Sequence, residues 1–214
     1  MSATLRVLFL RHATTDWNVA KRLQGRVDRP LLASSEVALS RLRMPDTHQP
    51  ARWFSSPLLR TQQTARGLGA EVVVTAPEII EMDWGDWEGE TVAALRARLG
   101  EQMAENEARG ADFRPHAGES PREVAARAIR WLRSLTSPAQ CDECVVCVTH
   151  KGVIRATFAH LWGWDMRGPS PQRFDWNALH EVQVFPDGTL AAGAINIELK
   201  ARTHEAGSDR AEPF

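Results

Sequence analysis

The chain has 214 residues, of which 43% are hydrophobic and 25% charged, with a formal net charge of −1. That length suits one domain with insertions, and the apolar fraction leaves ample material for a core. The near-zero charge gives no general attraction to nucleic acid or to an anionic membrane, so any positive field must be local. The apolar run near the N-terminus, Val7 to Leu10, is too short for a signal segment, and no run approaches the roughly 18 apolar residues of a membrane span. A cytoplasmic location is the expectation. Cys141, Cys144 and Cys147 sit in or just before one apolar run. Their odd number argues against a disulfide framework, and zinc would need two more ligands at suitable spacing, so a structural role is expected.

Along the chain, Leu5 to Leu10 is short, apolar and bounded by polar residues, the pattern of a buried strand. Residues 16–30 are polar and read as a long loop. Ser34 to Arg43 reads as a helix. Trp53-Phe54-Ser55 looks like the end of a second strand. Ser56-Pro57 then resembles a helix cap with proline at the first helical position, leading into Leu59 to Leu68. Glu71 to Thr75 is β-branched and short, hence a strand. Thr91 to Arg109 reads as one helix. Ser120-Pro121 repeats the cap signature ahead of a helix from Arg122 to Leu135. Cys144 to Thr149 reads as a fully buried strand, and Lys151 to Trp162 as the helix behind it. Val182 to Phe185, the turn Pro186-Asp187-Gly188 and Leu190 to Ile197 read as a hairpin. Residues 1–200 are expected to form one domain and 201–214 a flexible tail.

Strands alternating with helices imply an α/β chain: a three-layer α/β/α arrangement around a mostly parallel sheet. In such sheets ligands bind beyond the carboxyl ends of the strands. Three of these ends carry unusual residues: Arg11-His12, Ser55-Ser56-Pro57-Leu58-Leu59-Arg60, and His150-Lys151-Gly152. A phosphate monoester dianion calls for such a set. Arginine offers a planar fork for phosphate oxygens, and imidazole is a nucleophile near neutral pH. A proton source for the leaving oxygen would come from Glu78 or Glu81. A carboxyl among Ile80, Met82 and Trp84 would have a raised pKa. Taken singly, each of these residues also reads as ordinary surface or core material; the weight lies in their joint placement.

Leu10-Arg11-His12-Ala13-Thr14-Thr15-Asp16-Trp17-Asn18 resembles the signature of the histidine phosphatase superfamily, in its phosphoglycerate mutase-like branch. Ser55 to Ala65 resembles the second motif of that family, and Glu81-Met82-Asp83-Trp84-Gly85-Asp86-Trp87-Glu88-Gly89 the acid motif. Gly118-Glu119-Ser120 and Val148 to Arg155 resemble the remaining two, in family order. The resemblance implies His12 as the nucleophile that becomes phosphohistidine, and Arg11, Arg60 and His150 as ligands of the phosphoryl oxygens. It implies Asn18 as a further phosphate donor and Glu81 as the proton donor that later activates water. Gln24 and Gly25 fall where the family's loop approaches the phosphate. No metal and no cofactor are implied, because two arginines and a second histidine neutralise the charge that Mg²⁺ neutralises elsewhere.

Four positions depart from the family pattern. Ala13 and Lys151 replace glycines, and Ser35 and Ala38 stand where Gly and Gln are usual. Ala13 raises the question of backbone geometry, whereas Lys151 offers an ammonium near the phosphate. Ser35 and Ala38 are expected to touch only the helix behind the site. Trp17, Trp84, Trp87, Arg26, Arg29 and Arg155 are candidates for the entrance. The acid motif runs straight into a helix with no proline-rich insertion, as in the compact phosphatases that the chain resembles. The expected function is hydrolysis of a small phosphorylated metabolite. The alternatives are cofactor-dependent phosphoglycerate mutase-type transfer, or a degenerate site that binds phosphorylated ligands without turnover.

Overall fold

A computed structural model describes residues 4–49, 52–135 and 144–202. Its central sheet runs β4-β3-β5-β1-β6-β7. The strands are β1 (Leu5–Arg11), β3 (Arg52–Ser55), β4 (Val73–Thr75), β5 (Cys144–Thr149), β6 (Leu179–Val184) and β7 (Leu190–Ala192). The first four are mutually parallel where they pair, and β6 and β7 extend the sheet antiparallel. A further two-stranded pair joins β2 (Leu42–Arg43) to β8 (Lys200–Ala201).

The strands β1 and β5 carry near-continuous apolar runs because both of their faces are covered. One face packs Val7, Phe9, Val145 and Cys147 against the helices α6 (Pro121–Ser134) and α7 (Lys151–Leu161). The other packs Leu8, Leu10, Val146 and Val148 against the layer of α2 (Ala33–Ser40) and α3 (Leu59–Gly67). This is the expected three-layer arrangement. Cys144 and Cys147 are buried free thiols, and burial raises the Cys144 pKa to about 11, as fits core residues. Cys141 lies outside the described residues.

Several elements differ from the sequence reading. The stretch 16–30 opens with a short helix, α1 (Asp16–Val19), closed by a Thr15–Asn18 capping box. The helix expected over 91–109 is two, α4 (Val92–Leu99) and α5 (Glu101–Glu107). Gly100 separates them with φ +53°, a conformation that glycine adopts without a Cβ penalty. The strand expected from Glu71 starts only at Val73. Ser56 does not cap α3. The first described N–H of that helix, on Leu59, is instead taken by the Asp28 carboxylate at 2.9 and 3.0 Å. Ala201 and Arg202, assigned to a tail, are held by β2: Arg202 donates its amide to Arg41 O and its Nε to Leu42 O. The rest of that tail, 203–214, lies outside the described residues.

The Ser120 cap is as read, a full capping box with Glu123 and with Pro121 in the first turn. Such a cap contributes on the order of 1 kcal/mol. Ser120→Ala is therefore expected to lower the midpoint of thermal unfolding by about 2–4 °C, measured by calorimetry.

Candidate active site

The parallel register brings three strand ends together. Arg11 lies opposite Thr149, and Ser55 opposite Val148. His12, Ser56 and His150 therefore emerge side by side. His12 continues the ladder by donating its amide to Thr149 O, and Ser56 does so to Val148 O. The two imidazoles meet edge to face, with centroids 5.2 Å apart, close to the ordinary strand spacing.

The His12 ring is nearly buried, and its Nδ1 lies 2.7 Å from Ala13 O. A carbonyl only accepts, so Nδ1 carries the proton and Nε2 keeps its lone pair. Burial, then Arg60 and Arg11, hold the His12 pKa well below the usual imidazole value. The ring is neutral at pH 7. Ala13 does not lie in the left-handed region, and its amide donates to Thr64 Oγ1 at 3.0 Å. Alanine is accommodated here without backbone strain.

His150 is fully buried, with Nε2 2.8 Å from Ser56 Oγ. Ser56 Oγ also accepts the Leu58 amide at 3.4 Å and has its own proton to give to His150 Nε2. Nδ1–H is then the imidazole donor. It is buried and has no partner. Burial, Arg60 and His12 hold the His150 pKa well down as well.

Arg60 is fully buried on α3 and is held by carbonyls rather than by a close carboxylate. Nη1 donates to Val27 O at 3.0 Å and Nη2 to Gly25 O at 2.7 Å. Those carbonyls are set by Glu88, whose carboxylate accepts the amides of Arg26 and Val27. A Cβ on Gly25 would overlap Glu88 Oε1, which accounts for glycine there. The Asp28 carboxylate is 3.9 Å from Arg60 Nη1. Gly25 thus supports Arg60 through its carbonyl and, like the fully buried Arg60 and His150, is not among the residues that line the cavity.

Asn18 Oδ1 accepts from the Thr15 amide at 3.0 Å, and Gln24 Oε1 lies 2.8 Å from Thr15 Oγ1. With both oxygens engaged on Thr15, their amide nitrogens are the free ends. Gln24 Nε2 is buried without a partner, as are Arg11 Nε and Arg60 Nε. With His150 Nδ1, four buried donors from four separate segments of chain lack an acceptor around His12. Each such group costs about 1–3 kcal/mol. A single phosphoryl group, rich in acceptor oxygens, is the complement to this set.

Glu81, rather than the exposed Glu78, stands at the cavity wall. Oε1 accepts the Met82 amide at 2.8 Å and Oε2 the Gly152 amide at 3.2 Å. Burial raises its pKa, against the pull of these two amides, Arg60 and Arg127. Its loop is clamped by Arg127 of α6, which donates to Glu78 O, Glu81 O and the Glu119 carboxylate. Glu119 in turn accepts the Asp83 amide. Arg127, Glu88, Asp28 and Thr15 were missed by sequence reasoning. The only signal for them was membership of, or nearness to, the motifs.

The cavity above His12 measures about 560 Å³ and is lined by Arg11, His12, Asn18, Gln24, Glu81 and Lys151, among others. A groove of about 670 Å³ between α6 and α7 contains none of them, so volume alone would mislead. Of the six entrance candidates, Trp84 and Arg155 line the cavity. Trp17 packs on Gly89 under Arg29, which is itself bonded to Asp16. Trp87 is core to a satellite cluster with Leu95 and Met103. Arg26 pairs with Asp83 and Glu119. Ser35 reaches past its own helix and donates to Thr14 O, whereas Ala38 is exposed.

The sequence profile of the histidine phosphatase superfamily (branch 1) matches residues 7–193. This chain belongs to that family. It is 34% identical over 168 residues to glucosyl-3-phosphoglycerate phosphatase of Mycobacterium tuberculosis, covering 73% of this chain and 74% of that one. It is 30% identical over 174 residues to metal-independent phosphoserine phosphatase of Arabidopsis thaliana, covering 75% and 70%. A solved mycobacterial glucosyl-3-phosphoglycerate phosphatase, complexed with VO3, superposes with a TM-score of 0.72 and 28% identity. It covers 90% of this chain and 99% of that one. No helix among the described residues is long and apolar enough to cross a membrane.

Orthophosphate is expected to raise the thermal midpoint saturably by satisfying the orphaned donors. At a hundred times its Kd the gain is about 2.7 kcal/mol. Arg60→Met should abolish most of this ligand-dependent shift, read by scanning fluorimetry. A Cβ at Gly152 would overlap Glu81 Oε1. Gly152→Ala should therefore displace the carboxyl and lower kcat tenfold or more, seen in steady-state kinetics.

Proposed function

We propose that this protein hydrolyses a small phosphomonoester through a phosphohistidine at His12. The observation that carries the reading is the neutral His12, its Nδ1 proton committed to Ala13 O, amid four unpartnered buried donors. The relatives named as phosphatases, at 34% and 30% identity, support hydrolysis. A 2,3-bisphosphoglycerate-dependent phosphoglycerate mutase of Methylobacterium radiotolerans matches at 27% over 168 residues.

In the first step His12 Nε2 attacks phosphorus in line with the ester oxygen. The N–P bond forms as the P–O bond breaks. Arg11, Arg60 and His150 hold the charge on the phosphoryl oxygens, with the amides of Asn18 and Gln24 beside them. Lys151 adds a cation at the same wall. Protonated Glu81 gives its proton to the leaving alkoxide, which its raised pKa allows. In the second step the ionised Glu81 takes a proton from water as the water oxygen attacks phosphorus and the P–N bond breaks. Phosphate leaves, and both side chains return to their starting states.

The pH dependence follows from the two shifts. Phosphoryl transfer needs His12 neutral and Glu81 protonated. kcat/KM for an alkyl phosphate should fall as pH rises through the raised Glu81 pKa, and fall again in acid once the depressed His12 pKa is reached.

The test uses p-nitrophenyl phosphate, whose phenolate leaves without an acid, beside an alkyl phosphate such as phosphoserine. Glu81→Ala should cost the alkyl substrate about 10²–10⁴-fold in kcat/KM and p-nitrophenyl phosphate far less. His12→Ala should reduce both to background. Release of p-nitrophenol no faster than in His12→Ala would overturn the hydrolase reading and favour a binding protein. Conversion of 3-phosphoglycerate that depends on added 2,3-bisphosphoglycerate would favour the mutase. Glucosyl-3-phosphoglycerate and phosphoserine are the first metabolites to assay, given the relatives' names.

A further inference from the structure

The wall of the cavity beyond the phosphate-binding residues is cationic. Lys151 and Arg155 both line it, one helical turn apart on α7. Side chains four apart on a helix lie on one face, about 6 Å from each other. Among the described residues neither is paired with a carboxylate. The Lys151 ammonium sits over the Trp176 ring at 5.2 Å, and the half-buried Arg155 guanidinium over the Trp164 ring at 5.1 Å. An aromatic face holds a cation in place and does not neutralise it. Elsewhere on this surface Arg26, Arg29, Arg96, Arg98, Arg114 and Arg122 each pair with an acid. Lys21 and Arg22 also line the cavity, with Arg22 donating to Gly89 O. The acids at the cavity wall are also committed. Glu81 is fastened to two backbone amides, and Glu107 pairs with Arg96.

The geometry points to a second anion subsite, formed by Lys151 and Arg155, that selects phosphomonoesters carrying another anionic group. The inference rests on the phosphatase reading and names its substrate class. Arg11 lies close enough to Lys151 to depress its pKa, and so does Arg155. All three cations line the cavity, with Lys151 near both of the others. Arg11 serves the phosphoryl group. Among the described residues neither Lys151 nor Arg155 has an acidic partner, and burial destabilises the charge of the half-buried Arg155. A carboxylate suits the pair well, since guanidinium grips it with a planar fork and ammonium adds a point charge. A second phosphate offers the same chemistry.

The test compares substrates on one carbon skeleton: glycerol 3-phosphate, 3-phosphoglycerate with a carboxylate, and 1,3-propanediol bisphosphate with a second phosphate. The parent enzyme is expected to prefer one or both acidic substrates tenfold or more in kcat/KM, chiefly through KM, and which one distinguishes carboxylate from phosphate. Arg155→Met and Lys151→Met should each shrink that preference at least fivefold and steepen neither pH limb. The preference should also weaken as salt is raised. Dissociation constants on His12→Gln, by calorimetry, give the same ratio without turnover, so a failure of catalysis leaves the subsite testable. Release of p-nitrophenol with a preference within twofold of unity overturns the subsite while the hydrolase reading stands. A parent preference that both variants retain overturns it as well.

Discussion

The hydrogen bond between His12 Nδ1 and the Ala13 carbonyl decides which imidazole nitrogen is a base. With Nδ1 protonated, Nε2 is the lone pair presented to the cavity. Burial and two neighbouring arginines then keep the ring from taking a second proton. In the proposed mechanism the arginines that hold an incoming phosphate therefore also keep the nucleophile neutral before it arrives. His150 follows the same logic in mirror image: Ser56 engages its Nε2 and leaves Nδ1–H as a donor. In the proposed mechanism one histidine attacks and the other donates, each set by the neighbour on its other ring nitrogen.

The arrangement has a stability cost that the surrounding loops offset. Arg60 is wholly inside the protein, and carbonyl oxygens meet two of its nitrogens. A tight carboxylate there would satisfy the charge and compete with phosphate. The nearest one, on Asp28, is 3.9 Å away and is occupied by the Leu59 amide. Glu88 sits one layer further out, bending residues 25–27 so that their carbonyls face inward. Negative charge is thus kept at arm's length from the phosphate, except for Glu81. Glu81 is the group that must be close, and burial moves it toward the protonated form.

The strands and the site were legible in the sequence for one reason. A buried parallel strand is an apolar run with a sharp polar end, and in this fold the chemistry sits at that end. Leu5 to Leu10 followed by Arg11-His12, and Cys144 to Thr149 followed by His150, are such ends. Features that depend on orientation were not legible. Trp17 and Trp87 carry the same composition as Trp84, yet only Trp84 reaches the cavity. Ser56-Pro57 has the sequence of a cap, but Ser56 is engaged by His150 94 residues away, and α3 is capped by Asp28 from another loop. Contacts across such distances leave no local pattern. Gly100 carried the opposite lesson: propensity favoured one helix, and a single backbone conformation made two.

The proton positions on His12 are open to direct observation by ¹⁵N-detected NMR of histidine-labelled protein, titrated without ligand from about pH 7 to pH 5. The predicted result is a His12 ring that is neutral at pH 7, protonated at Nδ1 with Nε2 unprotonated, and that titrates only below the midpoint of an ordinary imidazole. A His12 imidazolium at neutral pH, or a neutral ring protonated at Nε2, would contradict it.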